Sequence, residues 1–120
     1  MNSPVRNDMH LLIVALLDDS WLDDVILGMT TISGGQVTMV DAVSGTQNLS
    51  QAIPMFAEFT GMGGKRFCKI LITCVSDSKP ASLLLEELSE GGLDFVGESL
   101  GEIYALPLGQ AVLNEEIDIF

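Results

Sequence analysis

Two nine-residue runs, Met9–Leu17 (MHLLIVALL) and Phe67–Val75 (FCKILITCV), set the strongest limit on the fold. The first is β-branched at its centre, and each is long enough for one buried strand. In the second run Cys68, Ile70, Ile72 and Cys74 fall on one side, and Phe67, Leu71 and Val75 on the other. A sheet with one face in water alternates apolar and polar residues. These runs do not, so both faces of the sheet need a cover.

The remaining elements are read around these strands. Ser20 is the expected N-cap of a first helix, with Asp23 three residues on. Leu22, Val25, Ile26, Met29 and Ile32 share one helical face, and Gly34-Gly35 ends it. Val37–Val43 is the second strand. Ser78 is expected to cap a second helix with Pro80 in its first turn, and Ala81, Leu84, Leu85 and Leu88 line one side. Gly101–Leu108 is the fourth strand. Leu93–Leu100 has no clear period, and the tail from Asn114 could add an edge strand.

The order is β-α-β-β-α-β. It predicts an α+β, ferredoxin-like βαββαβ domain over residues 1–120, with a four-stranded antiparallel sheet and two helices on one face. Residues 1–8 are read as a flexible N-terminus. Residues 44–66 form a long aperiodic connection, of a length that is usually functional or disordered. Two helices cover one sheet face only, so the other face is expected to pack on further subunits.

Charge narrows the partners. The 120 residues carry 17 Asp or Glu against five Lys or Arg, a net charge of −12. That argues against nucleic acid and anionic membrane surfaces. No apolar run approaches the roughly 20 residues of a membrane span, so no membrane insertion is expected. Cys68 and Cys74 lie six apart on one strand, about 20 Å along an extended chain, beyond disulfide reach. With a single histidine, His10, no zinc set can be assembled, and a reducing, cytoplasmic setting is expected.

The constellations that could carry chemistry each have a plainer reading. Asp18, Asp19, Asp23 and Asp24 suit the positive end of a helix dipole as well as a hard metal. Glu86, Glu87 and Glu90 read as a solvated helix face. His10 has no evident nucleophile partner, and Trp21 reads as a surface aromatic. Gly61–Arg66 (GMGGKR) fails the phosphate-loop pattern, because Phe59 stands where glycine is needed and Arg66 where Ser or Thr is needed. It reads as a hinge at the base of the long connection.

Three stretches resemble the nitrogen-regulatory PII signalling proteins. They are Trp21–Met29 (WLDDVILGM), Gln36–Gln47 (QVTMVDAVSGTQ) and Gly101–Leu108 (GEIYALPL). The resemblance spans about residues 10–113 and implies a homotrimer with the sheets toward the threefold axis. It implies a small-molecule effector in the clefts between subunits, and signalling to a protein target through a mobile loop, here 44–66. By position it implies ligand-binding roles for Thr38, Gly45, Gln47, Lys69 and Gly101, and partner contact by Lys65 and Arg66. The sequence also departs from the family. Glu102 replaces a phosphate-binding lysine, and Leu113 and Glu115 stand in place of two phosphate-binding arginines. An adenine nucleotide is therefore not expected in the family's standard ATP mode. No catalytic or metal site is expected. The alternatives are a CutA-like trimer tied to divalent metals and a small ferredoxin-like enzyme.

Overall fold

The computed structural model describes residues 4–43 and 67–114. In chain order these form β1 (Val5–Arg6), β2 (His10–Leu16), a 3-10 turn (Asp19–Trp21), α1 (Leu22–Ser33), β3 (Thr38–Val43), β4 (Phe67–Val75), α2 (Pro80–Glu90), β5 (Gly101–Pro107) and β6 (Ala111–Val112). The main sheet has four antiparallel strands in the order β3-β4-β2-β5. Each helix therefore joins two strands with a third between them. That is the ferredoxin-like βαββαβ topology the element order predicts.

The core lies between the sheet and the helices. Leu12, Val14 and Leu16 of β2 and Leu71 and Val75 of β4 meet Val25 and Met29 of α1 and Leu84 and Leu88 of α2. Full burial of each such side chain contributes about 1.5–3 kcal/mol. Leu93, Phe95 and Leu100 close the core from the segment 93–100, whose turns explain its lack of period. Thr73, buried among them, donates from Oγ1 to the Gln36 carbonyl at 2.9 Å and fastens the approach to β3.

Three local expectations need correction. The cap before α1 is Asp18, whose carboxylate accepts from the Ser20 amide at 3.0 Å, and Ser20 lies inside the 3-10 turn. Asp77 likewise accepts from the Lys79 amide at 2.7 Å just before α2. In both places the Asp carboxylate accepts from the amide two residues on and turns the chain ahead of the helix. Val5–Arg6, inside the segment read as flexible, forms a two-stranded antiparallel ribbon with Ala111–Val112. Backbone pairing orders it, and Arg6 also pairs with Asp8 at 2.8 Å.

The opposite face of the sheet carries Leu11, Ile13 and Ala15 of β2, with Cys68, Ile70, Ile72 and Cys74 of β4 beside them. Thr38, Val40 and Ala42 of β3 and Tyr104 and Leu106 of β5 extend it to both edges. Every described residue of this face is at least partly exposed, and Val40, Tyr104 and Leu106 are about half exposed, at 46%, 48% and 48%. The two-sided apolar runs thus close a core on one side and leave an apolar surface on the other. No helix among the described residues is long and apolar enough to cross a membrane.

Candidate functional site

The strand order decides where the expected site residues fall. Asp41, Lys69, Leu16 and Gly101 form one row across all four strands. Lys69 and Gly101 are two strand spacings apart, about 10 Å. Thr38 lies three residues from this row along β3, paired with Ile72. Thr38 and Gly101 are thus on opposite edges of the sheet, and one chain does not bring them together. Gly45, Gln47, Lys65 and Arg66 lie outside the described residues. Their anchors are fixed, since Val43 and Phe67 pair directly and segment 44–66 leaves and returns at neighbouring strand ends.

Lys69 is already engaged. Its Nζ donates to Asp41 Oδ1, and Asp41 holds the ammonium pKa above its ordinary value. Desolvation opposes that rise, and the Asp19 carboxylate adds to it. The group stays cationic at neutral pH and is not a nucleophilic amine. A carboxylate or phosphate ligand at Lys69 would have to compete with Asp41.

Gly101 has a backbone reason for its identity. Its φ is +156°, and a Cβ there would lie 1.9 Å from the Ala15 carbonyl oxygen. Only glycine lets β5 begin this close to β2. Its neighbour Glu102 projects to the opposite, apolar face, where it accepts a hydrogen bond from the Tyr104 hydroxyl. That contact raises the Tyr104 pKa. Glu102 is therefore turned away from the side of the sheet where Gly101 lies.

On the helix side of β5 there is an open groove of about 550 Å³. That is within the usual range for a small-molecule site. Its lining includes Leu17, Ala81, Leu85, Phe95, Ser99 and Gly101. Phe95 is buried at 4% exposure, whereas the adjacent Val96 stands out at 71%. Among the described residues, Gly101 is the one expected site residue in this groove. The others come from the end of β2, from α2, from segment 93–100 and from β5. The apolar pair Phe95-Val96, set among Gly, Asp and Glu, was the available sequence signal.

Two other candidates stay apart from the groove. His10 opens β2, and its Nδ1 is buried with no hydrogen-bond partner among the described residues. No group of three or more His, Cys, Asp or Glu that could hold a metal occurs among the described residues. Cys68 and Cys74 are free, partly exposed thiols on the apolar face. The chain matches no protein-family model. A search of curated proteins also gives no match.

Proposed function

We propose that this chain is a PII-like trimeric regulatory protein, a binding protein rather than a catalyst. It binds a small effector in the clefts between subunits and signals through residues 44–66. The observation that carries this reading is the apolar face of the sheet that no element among the described residues covers. Monomeric proteins rarely leave a large contiguous apolar patch in water, and homo-oligomers bury such patches. Glu102 is the one Asp, Glu, Lys or Arg on that face among the described residues. A chain of net charge −12 can therefore meet its copies there at small electrostatic cost.

Two further facts support it. Thr38 and Gly101 sit on opposite edges, so an edge-to-edge cleft between protomers is the arrangement that unites them. The paired anchors Val43 and Phe67 present segment 44–66 from one point beside Lys69, which suits a loop that reports on that cleft. The effector does not use the family's phosphate mode in this reading. Asp41 occupies Lys69, and no Lys or Arg occurs from Pro80 to Asn114. The free thiols suit a reducing cytoplasm.

The decisive measurement is the mass in solution by sedimentation equilibrium. Three times the 12.9 kDa chain mass is expected, and a 12.9 kDa species at micromolar concentration would end the trimer reading. A thermal-shift screen over adenine nucleotides, 2-oxoglutarate, bicarbonate and divalent metals then tests the effector. ATP is expected to give no stabilisation at low micromolar concentration.

A further inference from the structure

The face of the sheet turned away from the helices carries its one described acid in a defined setting. Glu102 ends a row whose other members are Val40 of β3, Ile70 of β4 and Ala15 of β2. The next row is Thr38, Ile72, Ile13 and Tyr104. Tyr104 donates its hydroxyl to Glu102 Oε2. Among the described residues the other titratable groups on this face are Cys68 and Cys74 of β4, and β2 and β3 present none there. Lys69, the one Lys or Arg in the four strands, projects to the helix side and is engaged by Asp41. No cation of the main sheet therefore shares a face with the Glu102 carboxylate.

Covering this face changes the setting of that carboxylate. In the single chain Glu102 is exposed to water. Under an apolar contact the ionised form loses that water and keeps the Tyr104 hydroxyl as its described partner, a costly exchange for a charge. The protonated form carries no charge, and its carbonyl oxygen still accepts from Tyr104. Identical copies sharpen the difference, since each brings another Glu102 and so adds like charge to the assembly. A second copy is also the occupant this face suits. The face offers a charged partner nothing but Glu102, whereas a copy returns the same apolar rows.

We infer that Glu102 is a proton-operated brake on assembly: copies of this chain close over the apolar face when Glu102 is protonated, and its ionisation loosens them. The inference rests on the assembly proposed above, and the experiment below separates the two. One carboxylate per chain is small beside a net charge of −12, but it lies inside the contact. Assembly then takes up protons, so it strengthens as pH falls and weakens as pH rises.

The test is sedimentation velocity of the full chain over a dilution series, which gives the concentration at half-assembly. Salt at about 0.5 M screens repulsion between the acidic surfaces but not the burial of a charge. Between about pH 7.5 and about pH 5.5 that concentration is expected to fall about tenfold for the unaltered chain. Both values lie above the isoelectric point of about 4.1, so the chain stays acidic throughout. Glu102→Gln keeps an acceptor for Tyr104 and removes the charge. It is expected to assemble at the higher pH as tightly as the unaltered chain does at the lower, and to lose the pH response. Glu86→Gln removes an exposed acid of α2, on the far side of the sheet, and is expected to keep that response. His10 lies on the helix side of β2, paired with Val75, so a response carried by histidine would survive in Glu102→Gln. An unchanged pH response in Glu102→Gln, or its equal loss in Glu86→Gln, would overturn the brake and leave the assembly standing. A single-chain mass for both the unaltered chain and Glu102→Gln at either pH would end the assembly and the brake together.

Discussion

Leu71 and Ile72 are neighbours on one strand, of nearly equal size and hydrophobicity, yet their surroundings differ completely. Leu71 points to the helices and is wholly buried, while Ile72 points to the bare face and is partly exposed. The same contrast runs through Leu12 and Ile13 on β2. Residue type therefore fixes how much apolar surface the strands carry, while topology fixes how much of it one chain can cover. Two helices cover one side only. Among the described residues no element covers the other side, and its apolar residues are the ones the proposed assembly would bury.

The largest effect is expected from Leu71→Ala. Truncation at a fully buried core position costs about 2–5 kcal/mol, and urea unfolding should show that cost at every protein concentration. Ile72→Ala should cost clearly less in dilute solution. If the bare face is an interface, its cost should grow as concentration rises through the assembly range. Equal, concentration-independent costs would erase the contrast between the faces. Gly101→Ala should come next, at more than about 2 kcal/mol, since the new methyl meets the backbone of β2. Gly109→Ala has open space around it and should stay within about 0.5 kcal/mol.

On the bare face, Ile72→Glu is expected to reduce the sedimentation mass to a single chain while the helical circular dichroism persists. An unchanged mass would remove this face from the assembly. The smallest effect is spectroscopic. Tyr104 is the chain's single tyrosine, and Glu102 raises its pKa. Its ultraviolet titration should have a midpoint above that of free tyrosine, and Glu102→Gln should lower it. The sign follows from the raised value. The stabilisation is fully present below the unfolded-state pKa and is lost as alkaline pH rises through the folded one.

Much of this fold is legible in the sequence because its signals are periodic. Phe67–Val75 is a strand with the bounds its apolar run predicts, and Gly34, left-handed, closes α1 where the glycine pair falls. The buried face of α1 is the one its spacing gives. Elements without a period were harder to read. The β1–β6 ribbon has two residues in each strand, too few to make a pattern. The site was less legible still. Lys69 gives no hint in sequence that Asp41, 28 positions earlier, would occupy it. The groove is assembled from β2's exit, α2 and residues 95–103, and only the strand order brings these together.

The bare face also carries its own chemical reporters. Cys68 stands across from Ala42, and Cys74 across from Leu11, at two separated points of that surface. A thiol there reacts with an alkylating reagent only while the surface is open, so the alkylation rate measures the fraction of time it is uncovered. Dilution should speed labelling if copies of the chain cover the face, and should leave the rate unchanged if they do not. Two ordinary cysteines thus become a clock for assembly, read without altering a single residue.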